Sequence, residues 1–294
     1  MARFDWYQAT IPAPVNDVLE VLHDLGEQVE LRHSKGKHGF AHETVLHDSD
    51  GTVAKVWHGG CHEYPHAVFS GEQAQPGAEL IRVKFPEHTV SRADACEDFD
   101  KPVFDAIQEA MLTTAKSHRV KVGTAGDHLL TKEGRTVYLG SPKSVCRMRL
   151  YDKGAELRAR FARDPVRLST VPEHLVRLEA QVRPATPDAR RVFSRMEPVQ
   201  VMGCASWLRE VWRLVMGMDV DPVEVRKPWR QSDDDRAYAF LLSQYGKVLQ
   251  RMKEDLGSWE CVGLQLGHDL AERSAAERST SRGALPLRRG RSGE

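Results

Sequence analysis

Apolar residues recur along the chain with two different periods, and each period predicts a different element. Residues 4–11 mix aromatic and β-branched side chains and predict a strand. The valines and leucines after them fall at helical spacing and predict a short helix that ends at Gly26. Between Val29 and Lys84, turn-forming residues come about every ten positions, which is typical of several antiparallel strands.

The middle of the chain continues this succession of strands and helices. Asp100 is placed to cap a helix whose apolar face carries Phe104, Ile107 and Met111. These elements predict an α+β fold over residues 1–190, with an antiparallel-dominated sheet packed by helices. The strands are predicted over His88–Asp98, Val120–Val122, Thr136–Leu139, Cys146–Tyr151 and Leu175–Val182.

From about Arg191 the apolar residues keep a helical period only. Ser232 and Asp235 have the spacing of a capping box ahead of a helix that ends at Gly257. We therefore predict a helical C-terminal region over residues 191–270. Because residues 273–294 hold six Arg and two Glu with almost no apolar material, we expect residues 271–294 to be a disordered basic tail.

Composition narrows the class of protein. The 42 basic and 42 acidic side chains give a net charge of zero, which excludes a uniformly basic binder but not a locally basic surface. No apolar run approaches the roughly 20 residues of a membrane span, and residues 1–8 do not read as a signal peptide. The five cysteines form no C-x-x-C pair, which indicates free thiols in a reducing cytoplasm.

Several common catalytic motifs are missing from the sequence. It has no G-x-x-x-x-G-K-[ST] phosphate loop, no G-x-G-x-x-G and no G-x-S-x-G elbow. None of the 13 histidines is separated from another by one residue, so the paired-His metal motif of many DNA-nicking enzymes is absent. His58, Cys61, His62 and His66 are ligand-type residues, but their spacing in a strand-and-turn segment favours a solvated loop over a zinc site.

The predicted strand over residues 88–98 carries candidate metal ligands. Alternation places Arg92, Asp94, Cys96 and Asp98 on one face. Two carboxylates this close repel each other, and a bound Mg²⁺ or Mn²⁺ would remove that cost. Ordinary surface acids at a sheet edge are the alternative, and the spacing alone favours that alternative.

A second strand combines a tyrosine with cations. Alternation gathers Arg147, Arg149, Tyr151 and Lys153 on one face and turns the two apolar residues between them towards the core. Nearby cations favour a phenolate and bind phosphate oxygens, as attack on a phosphodiester requires. A solvent-facing strand whose tyrosine ring covers arginine stems is the alternative.

A third strand presents Arg177, Glu179 and Gln181 on one face. Glu179 is either a third metal ligand or the partner of Arg147 or Arg149 in an ion pair. Residues 132–167 hold ten basic and four acidic side chains, whereas residues 90–110 hold six acidic and two basic ones. Neighbouring strands of this kind would place a phosphate-binding surface beside a cation site.

The basic hairpin resembles the signature of a known family. Tyr138-Leu139-Gly140-Ser141-Pro142-Lys143-Ser144, followed by RMRLYDKGAE over residues 147–156, is similar to the Y-x-G-S-x-x-S…R-x-Y-[DE]-K-x-x-E signature of the replication initiation factor family, Rep_trans. The resemblance extends over roughly residues 4–265. Shorter matches in the same order are Phe4-Asp5-Trp6, Ser70-Gly71-Glu72, Arg92-Ala93-Asp94 with Asp98, and Arg177-Leu178-Glu179-Ala180-Gln181.

The resemblance implies a rolling-circle initiator of a plasmid, filamentous phage or integrative element. Such an enzyme nicks one DNA strand at an origin hairpin, single-stranded at the nick, and stays joined to the 5′ phosphate through a tyrosine. Here Tyr151 matches the nucleophile, and Arg149 and Lys153 match its flanking cations. The implied domain is a nicking domain over residues 1–190.

The resemblance also implies a metal, DNA contacts and partners. Asp94, Asp98 and Glu179 match the acidic positions for Mg²⁺ or Mn²⁺, although Glu97 departs from the family pattern and could compete as a ligand. A host helicase and a second copy of the chain are further candidate partners, and a membrane is not. The residues expected to contact DNA are Arg147, Lys143, Ser141 and Arg177.

Two other functions fit the same residues. One is a sequence-specific regulator that binds the origin without cleaving it. The other is a metal-dependent nuclease that hydrolyses DNA with an activated water and forms no covalent link.

Overall fold

A ten-stranded antiparallel sheet organises the first 225 residues of the chain. The computed structural model describes residues 2–131, 133–225 and 233–282. The strand order is β2-β3-β4-β5-β1-β6-β10-β9-β8-β7, and all neighbours pair antiparallel. The strands are β1 (Arg3–Thr10), β2 (Glu30–Lys35), β3 (His42–Asp48), β4 (Gly51–His58), β5 (His66–Ser70), β6 (Thr89–Asp100), β7 (Val122–Ala125), β8 (Thr136–Leu139), β9 (Cys146–Asp152) and β10 (Leu175–Val182).

Helices connect these strands and follow them. Short 3-10 helices also cover Gly71–Gln73 and Pro198–Cys204. The predicted α+β class with an antiparallel sheet, packed helices and a helical C-terminal part is confirmed. The α-helices are α1 (Val15–His23), α2 (Ala74–Lys84), α3 (Phe104–His118), α4 (Lys153–Arg160), α5 (Pro165–Ser169), α6 (Pro187–Phe193), α7 (Ser206–Met216), α8 (Asp233–Leu256) and α9 (Trp259–Arg282).

The core lies between one face of the sheet and a layer of helices. Alternate residues of the central strands are fully buried there, because period-two alternation turns every second side chain to the same face. The helices contribute side chains at helical spacing to the same cluster. Members of this core are Phe4, Tyr7, Met148, Leu150, Leu178 and Ala180 from strands, and Val18, Ile81, Met111 and Trp212 from helices.

The prediction of strands up to Lys84 is wrong for its last part, where residues Ala74–Lys84 form helix α2. Its buried positions are Ala74, Gly77, Ala78 and Ile81, which is helical spacing built from small residues. A Cβ atom on Gly77 would lie 2.4 Å from the Phe69 ring, so glycine is needed for α2 to approach β5 this closely. Because small residues give only a weak apolar period, this helix could not be recognised from the sequence pattern.

Two helix starts also differ from the prediction. Val103, not Asp100, precedes α3, because β6 continues to Asp100. Strand β9 ends at Asp152, whose carboxylate accepts the backbone N–H of Ala155 at 2.7 Å and caps α4. Lys153 is therefore the first residue of a helix and not a strand residue.

The chain divides into two compact units, residues 1–228 and 229–294. We expected a boundary near residue 190, but α7 belongs to the first unit, where Leu208, Val211 and Trp212 join its core. In the second unit α8 and α9 are described, and α9 remains helical to Arg282, where we expected a disordered tail from residue 271. Residues 283–294 and the capping-box residue Ser232 lie outside the described residues. None of the described helices is long and apolar enough to cross a membrane.

Candidate active site on the polar face of the sheet

The sheet face opposite the helical core carries charged side chains on three adjacent strands. We call it the polar face and define it by nine residues. Register pairs Gln181 with Asp94 and with Arg147, and pairs Arg177 with Asp98 and with Tyr151. The polar face thus unites the three strands singled out from the sequence. Its members are Arg92, Asp94 and Asp98 on β6, Arg177, Glu179 and Gln181 on β10, and Arg147, Arg149 and Tyr151 on β9.

Asp98 is held by two arginines. Arg177 donates to both Asp98 oxygens, at 2.5 and 2.7 Å, and Arg3 donates to Oδ2 at 2.6 Å. Burial alone would raise the pKa of the Asp98 carboxyl, but these contacts outweigh burial and hold the pKa below its usual value. Arg177 also donates to Asp5 at 2.6 Å and is only 5% exposed, so it is a buried ion-pair centre and not an open DNA contact.

Asp94 is held in the same way at the next position along β6. The Arg92 guanidinium donates to both of its oxygens, at 2.9 Å from Nε to Oδ1, with a shorter contact from Nη2 to Oδ2. Gln181 donates from Nε2 to Oδ2 at 3.1 Å. The Asp94 side chain is 1% exposed, so its charge needs a partner inside the protein, and Arg92 is its ion-pair partner.

Glu179 is the most deeply buried carboxylate of the polar face. Arg149 donates to its Oε2 at 2.7 Å, so the ion-pair alternative left open by the sequence is realised with Arg149. Its Oε1 is buried and has no hydrogen-bond partner among the described residues, and the same holds for Oε1 of Gln181. Burial raises the pKa of the Glu179 carboxyl, and although Arg149 opposes the shift, Asp94 adds to it.

The expected three-carboxylate metal set is not brought together. Within the described ranges, no group of three His, Cys, Asp or Glu side chains is placed to hold a metal ion. Asp98 accepts hydrogen bonds from Arg177, whereas Asp94 pairs in register with Gln181, and Glu179 lies two residues before Gln181 on the same strand face. Buried oxygens without donors suit a hard cation, so Glu179 Oε1 and Gln181 Oε1 are the atoms that could accept one.

Tyr151 lies at one end of the polar face, and two cations approach its ring. The Arg149 guanidinium carbon is 4.7 Å from its ring centroid and the Lys153 ammonium is 5.8 Å away. Lys153 reaches this position from the first turn of α4, where it also contacts Glu156 at 2.6 Å. Arg149 and Lys153 therefore lie beside Tyr151, although Lys153 belongs to helix α4 and not to the strand.

The protonation state of Tyr151 differs from the expectation. Burial raises the pKa of its hydroxyl well above the usual value, and the Glu179 carboxylate adds to the rise. Arg177 and Arg149 lower the pKa but do not compensate. The net shift of the Tyr151 pKa is therefore upward, opposite to the direction expected from the cations alone.

The turn between β8 and β9 holds the remaining predicted DNA contacts. Gly140 adopts a φ of +89°, and a Cβ atom there would lie 2.8 Å from the Cys146 carbonyl oxygen, so glycine is required. Ser141 accepts the backbone N–H of Lys143 at 3.2 Å, and Lys143 is exposed. Arg147 stacks on the Tyr138 ring at 4.0 Å.

Two features of this face were not predicted. Tyr138 pairs in register with Arg149, so it shares the face of Tyr151. Asp5, the neighbour of the buried Phe4 on β1, accepts a hydrogen bond from Arg177. Only the short Phe4-Asp5-Trp6 match pointed to Asp5.

Residues 58–66 hold the ligand-type histidines and Cys61. Among the described residues, no three ligand-type side chains are placed to hold a metal ion, in this segment or elsewhere. His66 is buried and contacts Gln8 and Thr10, both at 2.8 Å, and burial lowers its pKa to about 4. His62 contacts the His38 carbonyl oxygen at 2.9 Å, and Cys61 donates to the Gly39 carbonyl oxygen. The solvated loop expected here holds for the exposed Cys61 and His62 but not for His66, which is buried on β5.

Comparison with known proteins gives similarity to solved structures only. No protein-family model matches the chain, and no curated protein matches it. A solved structure of the rolling circle replication initiator protein from Geobacillus stearothermophilus is similar, with 18% sequence identity and a TM-score of 0.48. The likeness covers 80% of this chain and 90% of that chain.

Proposed function

We propose that the protein is a Rep_trans-type initiator of rolling-circle replication that nicks and rejoins one DNA strand through Tyr151. The observation that carries the proposal is the placement of Tyr151 on a face where arginines and buried carboxylates interleave. A face of plain surface acids would not need this pairing. The proposal also draws on the signature resemblance around residues 138–156, and it places the reaction in the cytoplasm.

The proposed reaction transfers one phosphoester bond. The Tyr151 oxygen attacks the phosphorus, its bond to phosphorus forms, and the bond to the 3′ oxygen breaks. The phenol proton is released and the departing 3′ oxygen gains one, so no energy source is consumed and the 3′ hydroxyl can reverse the step. Arg149 and Lys153 stabilise the charge that develops on the phosphate oxygens.

A divalent cation, Mg²⁺ or Mn²⁺, is part of the proposal. Asp94, Glu179 and Gln181 would hold it, because two of these side chains carry buried oxygens without a donor among the described residues. Bound there, the cation would offset the Glu179 charge that now raises the Tyr151 pKa. We assign Asp98 to positioning Arg177 instead of to the metal.

The DNA partner is proposed to be an origin hairpin that is single-stranded at the nick. Lys143 and Arg147, beside the turn after β8, would contact its phosphates. A host helicase and a second copy of the chain are proposed as further partners on the resemblance alone.

A denaturing gel tests the proposal directly. The purified protein is incubated with end-labelled single-stranded oligonucleotides that tile hairpins near its own coding region, with Mg²⁺ present. We expect cleavage and a labelled protein band that survives boiling in detergent and disappears after protease treatment. Cleavage without such a band would replace the proposal by a metal-dependent nuclease.

A non-catalytic origin-binding regulator is the second candidate. The observation that favours it is the pairing on the face itself: each carboxylate is already paired with an arginine, and burial raises the pKa of the Tyr151 hydroxyl. The same gel decides, because a regulator would retard a hairpin in a native gel and leave it uncut in the denaturing gel.

A further inference from the structure

A cluster of aromatic side chains lies at the other end of the same sheet face. We call it the aromatic patch and define it as Phe40, Trp57, His62 and His66. Trp57 and His66 are parallel within 9° at a centroid distance of 5.8 Å, and Phe40 stacks on His62 at 3.9 Å. Phe40 also approaches Trp57 at 6.2 Å, so the four rings form one group.

Strand register places the aromatic patch on the same side of the sheet as Tyr151. Trp57 pairs with His66, and His66 pairs with Thr10 on β1. The next strand, β6, carries Arg92, whose guanidinium lies 4.4 Å from the Trp6 ring centroid. Residues opposite each other in antiparallel strands share a face, so rings and cations continue from the aromatic patch towards Tyr151.

Side chains of both signs of charge surround the aromatic patch. Lys55 is exposed two residues before Trp57, and Lys37 lies in the loop before Phe40. Glu43 lies among them and accepts hydrogen bonds from the Trp57 ring N–H and from Ser34. Lys37 and Lys55 both help to lower the pKa of the Glu43 carboxyl, so both cations lie near the rings, and both side chains are exposed to solvent.

We propose that the aromatic patch binds single-stranded DNA, stacking bases on Phe40 and Trp57 while Lys37 and Lys55 contact phosphates. Phe40 and Trp57 are partly exposed, and accessible rings interleaved with cations are what sequence-tolerant binding of single strands requires. Duplex DNA would keep its bases stacked inside the helix and offer no free base to these rings. The inference rests on the proposed function in naming DNA as the ligand.

The separation from Tyr151 sets the length of strand involved. From β4 to β9 there are five strand spacings, or about 24 Å at roughly 4.8 Å each, and register places Trp57 level with Thr89 but Tyr151 level with Asp98, about 30 Å farther along β6. A stacked strand rising about 3.4 Å per nucleotide would span the diagonal of about 38 Å with about eleven nucleotides. The aromatic patch would thus hold the strand well away from the scissile phosphate and would not take part in the chemistry.

Equilibrium binding of a fluorescein-labelled dT oligonucleotide of 20 nucleotides tests the inference. All variants carry Tyr151→Phe, so that no covalent adduct contributes. We expect Trp57→Ala to weaken binding about fivefold to 150-fold, the range for loss of one base stack on an aromatic ring. Lys55→Ala and His62→Ala, both at exposed positions, should weaken it severalfold without changing the thermal transition.

Matched controls separate the aromatic patch from general effects. Trp259→Ala removes a tryptophan outside the patch that is more exposed than Trp57, 52% exposed on α9, and should leave dT binding unchanged. Affinity for a 20-base-pair duplex should be the same in Trp57→Ala and its parent. Unchanged dT binding in both Trp57→Ala and Lys55→Ala, or an equal loss in Trp259→Ala or on duplex DNA, would overturn the inference.

The outcome is independent of the nicking test. If wild-type protein forms no adduct but dT binding still depends on Trp57, the proposed chemistry fails and the binding surface stands. If the adduct forms and Trp57→Ala leaves dT binding unchanged, the proposed binding surface is wrong and the proposed chemistry is supported. If a peptide or the duplex competes for the patch as well as dT does, the assignment to single-stranded DNA is wrong.

Discussion

The two faces of β6, β9 and β10 obey the same backbone geometry and carry opposite chemistry. On the helix-covered face Met148, Leu150 and Leu178 are fully buried, and contact with any apolar neighbour satisfies them. On the polar face Asp94 and Glu179 are just as buried, but each needs a particular arginine at hydrogen-bond distance. Apolar burial is non-directional, whereas buried charge must be paired, so one face specifies stability and the other specifies geometry.

The largest effect expected on the polar face is the loss of the Tyr151 hydroxyl. Tyr151→Phe should reduce adduct formation at least about 1,000-fold, because the nucleophile is removed while the ring remains. Denaturing gels measure the adduct, and a native gel should show unchanged hairpin binding.

Tyr138→Phe is the matched control for that experiment. Tyr138 lies on the same face but stacks on Arg147, so substantial activity should remain. Loss of the adduct in Tyr138→Phe with retention in Tyr151→Phe would move the nucleophile to β8.

The apolar face should respond in stability and not in chemistry. Leu178→Ala should lower the free energy of unfolding by about 2–5 kcal/mol, because a fully buried side chain leaves a cavity. Denaturant titration measures this change, and activity per folded molecule should be retained. Leu129→Ala is the matched control, since Leu129 is 89% exposed and its truncation should cost almost nothing. An equal loss in both variants would remove the contrast between the faces.

Metal removal should act on the polar face alone. EDTA should stop cleavage, and Mg²⁺ or Mn²⁺ should restore it, while the thermal transition stays in place. Asp94→Asn should weaken the apparent metal affinity about 10-fold to 100-fold at nearly constant shape. Titration of cleavage against metal concentration gives that value. Full cleavage in EDTA would return Asp94 and Glu179 to a purely structural role.

The raised Tyr151 pKa predicts a pH dependence. Since the folded pKa lies above neutral pH, the phenolate fraction and the adduct rate should rise about tenfold per pH unit between pH 6 and 9. Rates of adduct formation in a single turnover measure the slope. Raising the Mg²⁺ concentration should move the profile towards lower pH, because a cation near Glu179 offsets the charge that raises the pKa. A flat profile would mean that deprotonation does not limit the reaction.

The smallest effect should come from the end of the chain. Deleting residues 283–294 removes three arginines and one glutamate and should leave the thermal transition and nicking intact. Non-specific DNA binding should weaken a few-fold at low salt, and the salt dependence should become shallower, because fewer phosphates are neutralised. Binding titrations at several salt concentrations measure both quantities. A truncated protein that precipitates would show that these residues support the fold.

Local period was enough to predict much of the molecule. Alternation along β9 and β10 separated Met148, Leu150 and Leu178 from the charged residues between them, and the structure confirms that division. Helical spacing predicted α1, α3 and α7, whereas α2 was missed because its buried face is made of Ala74, Gly77 and Ala78. The short α4 was missed because Asp152 looked like a strand residue and acts as a helix cap.

Which residues share a strand face follows from alternation, because it depends only on neighbours along the chain. Which charges meet depends on the order and register of the strands. Arg177 is 79 positions from Asp98 and 172 from Asp5, and the sheet brings all three together. The raised pKa of Tyr151 has the same origin, since burial and the Glu179 charge come from strands that alternation cannot place side by side. Electrostatic energy depends on distance and solvent exclusion, and both are properties of the assembled sheet.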